Sequence, residues 1–200
     1  MPTERYDPER HHRHSIRLKG YDYTQPGAYF ITLCTHERAH LFGRVVDGEM
    51  RVNAWGEIVQ GCWHEIPMHF PYVELDAFVV MPNHVHSIIW IVGARHAVPP
   101  QPHVNIPTAE QFGKPVPGSI PTIVRTFKSA VTKRIHETCA AFDTPLWQRN
   151  YYEHIIRNDR ALEAIRQYIA ENPLRWHLDR YNPTRAADDP LAQAIWDMLR

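Results

Sequence analysis

The stretch VELDAFVVMPNHVHSIIWIV, residues 73–92, decides how this chain folds. It contains two runs rich in β-branched and aromatic residues, 73–81 and 84–92, and each has the composition of a buried strand. Only Pro82 and Asn83 separate the runs, and so short a linker joins antiparallel neighbours. The stretch therefore predicts two adjacent inner strands of an antiparallel sheet.

Further strands are predicted on both sides of this pair. AYFITLCT, residues 28–35, reads as a buried strand, and 147–156 as a short irregular one. In GRVVDGEMRV, residues 43–52, the dipeptide Asp47-Gly48 predicts a hairpin, because both turn positions require positive φ.

Helices alternate with these strands. Asn53 is a predicted N-cap of a helix that Pro67 and Pro71 end. Apolar residues at helical spacing predict a second, amphipathic helix beginning at Ile120. Asp159 is predicted to cap a helix over 160–172, which Pro173 stops, and 191–199 could form a short docking helix.

This order of elements predicts an α+β fold, a ferredoxin- or RRM-like sandwich with an antiparallel sheet and helices on one face. We expect a basic tail over residues 1–19, a folded domain over 20–176 with a flexible proline-rich insertion at 97–119, and a C-terminal extension over 177–200.

Composition excludes several classes of protein. The formal net charge is zero, which argues against a protein that coats DNA through overall positive charge. No uncharged apolar run approaches the ~20 residues that span a bilayer, and the first residues lack the apolar segment of a secretory signal. The 3 cysteines form no CxxC pair. We expect a cytoplasmic protein, associated with the nucleoid if it acts on DNA.

Positive charge is nevertheless clustered. Arg13, Arg17 and Lys19 belong to the basic N-terminal stretch, which is either a solvated tail or a phosphate-binding segment. A second group, Arg125, Lys128 and Lys133, follows the polar side of the helix that begins at Ile120. This side could follow a DNA backbone or simply face solvent.

His84 and His86 are candidate metal ligands. Residues i and i+2 of a strand point to the same face with their roots roughly 6–7 Å apart, so both imidazoles can reach one ion. A pair of structural histidines would show the same spacing. Two ligands do not complete a site, and a hard ion such as Mg²⁺ or Mn²⁺ would also need oxygen ligands, which spacing does not single out.

Tyr168 and Asn172 form a second pair, at i and i+4 on the last long helix. They lie beside the apolar stripe of that helix, where a phenol and an amide could look across at the sheet, although an aromatic at helical spacing more often packs in a core. Tyr151 and Tyr152 are nearby rivals. The sequence has no phosphate-cradling glycine-rich loop and no GxSxG elbow.

Several segments together resemble a known family. AFVVMPNHVHSIIW, residues 77–90, is similar to the metal-binding core of the single-tyrosine HUH transposases. The resemblance to their REP-associated branch extends from about residue 15 to residue 176. It is carried by the segments SIRLKGYDYTQPGAYFITLCTHERAHLFG (15–43), TFKSAVTKRI (126–135), LWQRNYYEHIIRN (146–158) and YIAENPLRW (168–176).

The resemblance implies a metal-dependent single-stranded DNA endonuclease and strand transferase, a transposase that acts on hairpin-forming DNA. His84 and His86 would match the HUH pair, Asn172 the third ligand of a divalent ion (Mg²⁺ or Mn²⁺), and Tyr168 the nucleophile that forms a 5′-phosphotyrosine. Some family members form homodimers that exchange the tyrosine helix.

Two other functions stay open from the residues alone. One is an HxH metal-dependent hydrolase with a carboxylate such as Asp76. The other is a noncatalytic nucleic-acid-binding protein that stacks bases on exposed aromatic residues of an RRM-like sheet.

Overall fold

A computed structural model describes residues 21–93, 116–139 and 144–199. The strands are β1 (Gly27–Cys34), β2 (Gly43–Val46), β3 (Glu49–Val52), β4 (Val73–Met81), β5 (His84–Ile91) and β6 (Tyr152–Ile156). The helices are α1 (Ala54–His64), α2 (Ile66–His69), α3 (Ile120–Thr138), α4 (Asp159–Glu171) and α5 (Pro190–Met198).

The central sheet has the strand order β4-β5-β1-β6, with every neighbouring pair antiparallel. With α1 between β1 and β4, and α3 between β5 and β6, this is the ferredoxin-type arrangement. The α+β fold with an antiparallel sheet is therefore confirmed. The hairpin β2–β3 is also confirmed, with φ of 52° at Asp47 and 76° at Gly48.

The helices do not cover one face only, and that detail of the prediction was wrong. Helices α1 and α3 pack on the face that carries Val85 and Ile89, in a core with Trp63 and Phe127. Helices α4 and α5 cover the opposite face, in a second core with Phe30. The reason is that alternate residues on both sides of β1 and β5 are buried, so each side needs its own cover.

Local signals placed most element boundaries closely. Asn53 Oδ1 accepts hydrogen bonds from the backbone N–H groups of Trp55 and Gly56, so it caps α1 as predicted. Pro67 does not end that helix but lies in the first turn of α2, a position where a proline loses no helical hydrogen bond. The cap of α4 is Asn158 rather than Asp159, with Oδ1 2.8 Å from the N–H of Ala161.

The last strand and the last helix can also be compared with their predicted bounds. The strand expected over 147–156 begins only at Tyr152, while Trp147 forms an isolated bridge with Thr35. The docking helix expected over 191–199 is present as α5. Within the described residues, none of the helices combines the length and apolar character that a membrane span requires.

Candidate metal centre

His84 and His86 lie on the same face of β5, the face that α4 and α5 cover. Their ring centroids are 4.5 Å apart, and both residues are 0% exposed. Val85 between them points into the α1/α3 core. Strand alternation therefore places the two imidazoles side by side in the interior.

Hydrogen bonds fix which ring nitrogen of His84 carries the proton and which keeps a free lone pair. Asn83 donates through Nδ2 to the carbonyl oxygens of Arg38 and Tyr181, so its Oδ1 must be the atom that meets His84 Nδ1 at 2.9 Å. His84 Nδ1 is therefore the protonated nitrogen, and in the neutral ring Nε2 keeps a free lone pair. A partner that holds the other ring nitrogen in this way is the usual support of a metal-ligating histidine.

His86 is oriented in a similar manner. Its Nδ1 lies 2.8 Å from Oγ1 of Thr32 on the neighbouring strand β1. Its Nε2 lies 3.2 Å from the hydroxyl of Tyr168, which reaches down from α4. Since both residues belong to one chain, this contact does not need a partner subunit.

Asn172 and Asp179 complete the cluster. Asn172, at the C-terminal end of α4, donates through Nδ2 to Asp179 Oδ2 at 2.8 Å. The same carboxylate oxygen lies 3.9 Å from His84 Nε2. Ligand atoms of His84, His86 and Asp179 all lie within 4.8 Å of one another, and all three residues are buried.

The cluster fits a cation. Within the described residues, the buried atoms His84 Nε2 and Asn172 Oδ1 have no hydrogen-bond partner. Both are electron-pair donors, and they accompany a buried carboxylate, so leaving them without a partner would be costly. A divalent ion would satisfy the imidazole nitrogens, the amide oxygen and the carboxylate together, and this mixed nitrogen and oxygen set suits Mn²⁺ or Mg²⁺.

Burial keeps these groups in the protonation states that metal binding needs. It lowers the pKa of His84 to about 4, although the carboxylate of Asp179 opposes the shift. Burial and the neighbouring His84 lower the pKa of His86 well below its usual value. Both rings are therefore neutral near pH 7. Burial, reinforced by Asp179, raises the pKa of the Tyr168 hydroxyl, which keeps its proton in this arrangement.

The structure does not bring every predicted residue to this cluster. Arg13, Arg17 and Lys19 lie outside the described residues, as does most of the 97–119 segment. On α3, Lys128 donates to the carbonyl oxygen of Gln148 at 2.7 Å, and burial lowers its pKa to about 8. Arg125 and Lys133 are exposed on that helix, and Lys133 lies 3.9 Å from Glu137.

Asp76, the carboxylate considered for a hydrolase, interacts with residues outside the histidine cluster. Its oxygens accept hydrogen bonds from Arg166 and from Trp90 Nε1, the latter at 2.8 Å. These interactions hold its pKa low. Asp76 is not part of the cluster.

Sequence reasoning missed Asp179 and the adjacent Tyr181. The ring of Tyr181 lies 4.7 Å from that of His84, between centroids. Both residues come from an irregular segment after α4, within the stretch expected to be a C-terminal extension. No strand or helix spacing marks them, so only the fold could reveal that they join the histidines.

Comparisons with known proteins agree with the predicted resemblance. No protein-family model matches the chain. An uncharacterized protein of Haemophilus influenzae is 42% identical over 178 residues, which cover 89% of this chain and 97% of the relative. A second protein of that organism, provisionally assigned as a REP-associated tyrosine transposase, is 22% identical over 162 residues, 77% of this chain and 74% of its own length.

A solved structure shares the fold. A REP-associated tyrosine transposase bound to a REP hairpin superposes with a TM-score of 0.51 at 19% identity, covering 81% of this chain and 74% of its own.

Proposed function

We propose that this chain, which belongs to one family with its Haemophilus influenzae relative and is similar to REP-associated tyrosine transposases, is a metal-dependent nuclease and strand transferase. Its substrate is single-stranded, hairpin-forming DNA, and it acts through a covalent tyrosine intermediate. Work on DNA would place it in the cytoplasm, at the nucleoid.

One observation carries the proposal: the Tyr168 hydroxyl lies 3.2 Å from Nε2 of His86, in a buried cluster whose ligand atoms fit a cation. His84, His86 and Asn172 are the metal ligands in this proposal, and Asp179 joins them. A phenol in contact with such a site is what nucleophilic attack on a phosphodiester requires.

The bound ion would polarise the scissile phosphate and offset the charge that develops in the transition state. The Tyr168 oxygen forms a bond to phosphorus and loses its proton, while the bond from phosphorus to the departing 3′ oxygen breaks and that oxygen gains a proton. The products are a 5′-phosphotyrosine and a 3′-hydroxyl. Attack by another 3′-hydroxyl reverses these changes and joins strands, so no nucleotide cofactor is needed.

Substrate entry requires a change in the arrangement described here. Tyr168 is only 2% exposed, and Phe30 and Trp196 pack around its ring, with centroids 6.4 and 6.3 Å away. Trp196 belongs to α5, so this helix must shift before a phosphate can reach the Tyr168 oxygen. The Tyr168–His86 contact lies within one chain, and a homodimer stays a prediction from the family resemblance.

The RRM-like binding function receives less support. In such proteins, aromatic side chains on an open sheet face stack with bases. Here α4 and α5 cover the face that carries Phe30, which is 0% exposed. A hydrolase built on His84, His86 and Asp179 is the stronger alternative, because it would use the same cluster without Tyr168.

A denaturing gel separates these functions. Labelled hairpin-forming single-stranded DNA is incubated with the protein, with and without Mn²⁺. We expect a labelled strand that migrates with the denatured protein only when Mn²⁺ is present, and its loss in His84→Ala and His86→Ala. Free cleaved strand without an adduct would support the hydrolase, and binding without cleavage would support the noncatalytic function.

A further inference from the structure

Arg38 lies on a strained piece of backbone beside the histidine pair. Glu37 and Arg38 have φ of 52° and 56°, left-handed conformations that residues other than glycine seldom adopt. Such conformations are unfavourable and persist only where surrounding contacts hold them. Such strain is characteristic of functional positions.

Asn83 is one of the residues that hold this backbone. It donates to the carbonyl oxygen of Arg38 at 3.1 Å and to that of Tyr181 at 2.8 Å, while its own oxygen meets His84 Nδ1. Thr35 adds a hydrogen bond from Oγ1 to the carbonyl of Ala39 at 2.8 Å. One buried amide thus sets the positions of Arg38, Tyr181 and His84 relative to one another.

A second arginine stands next to Arg38. Arg38 Nη1 donates to the carbonyl oxygen of Arg180 at 3.3 Å. The guanidinium carbons of Arg38 and Arg180 lie 5.5 and 5.4 Å from the centroid of the Tyr181 ring, and Arg180 is also 5.4 Å from that of Trp196. The aromatic rings hold the two cations in place close to the cluster.

Among the described residues, some arginines are paired with carboxylates, whereas these two cations are not. Arg166 and Arg175 each pair with an aspartate. Within the described part of the chain, no carboxylate lies within ion-pair distance of Arg38 or Arg180, and both residues are exposed. Two like charges gathered at one ring repel each other, and an anion bound by both would offset that repulsion.

We propose that Arg38 and Arg180 form a phosphate clamp that holds a single DNA strand beside the bond to be cut. A guanidinium group can bind two phosphate oxygens at once through parallel N–H groups. Both arginines contact the ring of Tyr181, whose centroid lies 4.7 Å from that of His84, so the clamp lies beside the cluster. The clamp rests on the proposed function for its substrate. It supplies cationic groups beside the cluster, whereas Arg125, Lys128 and Lys133 lie on α3, which covers the other face of the sheet.

Binding without cleavage tests the clamp. Affinity for a labelled oligothymidylate strand is measured with a chelator present, over a series of KCl concentrations. We expect Arg38→Ala and Arg180→Ala each to weaken binding about tenfold, a reduction typical of removing a charge-assisted hydrogen bond. The double variant should flatten the dependence of log affinity on log salt by about 0.7 for each phosphate that the protein no longer neutralises.

Matched variants separate charge at this place from charge in general. Arg160→Ala removes an exposed arginine near the other end of α4 and should leave affinity and salt slope unchanged. Arg180→Lys keeps the charge and should retain most of the salt slope while losing affinity. Melting temperatures of all variants show whether a change in binding reflects a change in folding.

Parental affinity and slope in the double variant would overturn the clamp, as would an equal loss in Arg160→Ala or a parent chain that does not bind the strand. The proposed cleavage fails on a different result, the absence of a metal-dependent adduct. A chain that binds through these arginines but forms no adduct would keep the clamp and remove the chemistry.

Discussion

The two faces of the central sheet are made by alternate residues of the same strands, yet they differ in chemistry. On the α1/α3 side, Val85 and Ile89 of β5 pack against aliphatic and aromatic side chains such as Phe127. On the α4/α5 side, the neighbouring residues His84 and His86 meet a tyrosine, an amide and a carboxylate. The first face is built mainly of apolar contacts, and the second carries His84 Nε2 and Asn172 Oδ1, buried atoms that have no hydrogen-bond partner among the described residues and that a bound cation would satisfy.

The largest expected effect belongs to the apolar face. Phe127 is buried against Trp63 and Trp147, with ring centroids 6.0 and 6.2 Å away. Phe127→Ala should lower the free energy of unfolding by about 3–5 kcal/mol, measured by urea denaturation. Calorimetric Mn²⁺ affinity of the folded variant should equal that of the parent. A matching loss of Mn²⁺ affinity would show that the two faces are not separate.

Asp179→Asn, on the polar face, should affect metal binding rather than stability. The change keeps the shape of the side chain but removes the negative charge beside His84, so Mn²⁺ affinity should fall about a hundredfold, or about 2.7 kcal/mol. Stability should change little, because a buried carboxylate is itself costly. Asp76→Asn is the control, since Asp76 pairs with Arg166 away from the cluster. Unchanged affinity in Asp179→Asn would exclude the carboxylate as a ligand.

Acid should destabilise the protein through the polar face. Burial lowers the pKa of His84 from 6.5 to about 4. As pH falls below 6.5, this histidine is therefore protonated in the unfolded chain before it is protonated in the folded one, and folding becomes less favourable. Between about pH 7.5 and about pH 5, His84 alone should therefore remove about 2 kcal/mol of stability. Urea denaturation at both pH values measures this loss, and His84→Gln should reduce it. An equal pH dependence in the variant would assign the effect to other groups.

The smallest expected effect is a gain. Because Thr32 occupies Nδ1 of His86, an ion must use Nε2, the atom that meets the Tyr168 hydroxyl. Tyr168→Phe removes the hydroxyl that competes with the ion for this nitrogen, so the Mn²⁺ affinity measured by calorimetry should rise. We expect a rise of about fivefold, which corresponds to the net free energy of one neutral hydrogen bond. A lower affinity in the variant would instead indicate that the phenol oxygen is a ligand.

The apolar strands and the order of elements along the chain could largely be predicted from sequence, because alternation, turn residues and caps act locally. Asp47-Gly48 marked its hairpin and Asn53 its helix. The second layer of helices was missed, since a strand that is buried on both sides does not reveal what covers each side.

The candidate site was predictable where its members share one element. His84 and His86 share a strand, and Tyr168 and Asn172 lie one turn apart at the end of α4. Asp179, Arg38 and Arg180 come from irregular segments, whose conformation depends on tertiary hydrogen bonds such as those of Asn83. Side chains placed in this way have no periodic signature in the sequence.

The site of covalent attachment tests the account most directly. The protein is incubated with hairpin-forming single-stranded DNA and Mn²⁺, digested, and examined by mass spectrometry. We expect a nucleotide adduct on the peptide that carries Tyr168, its loss in Tyr168→Phe, and its retention in Tyr152→Phe. An adduct on Tyr151 or Tyr152, or strand cleavage that leaves no protein-bound nucleotide, would contradict the account.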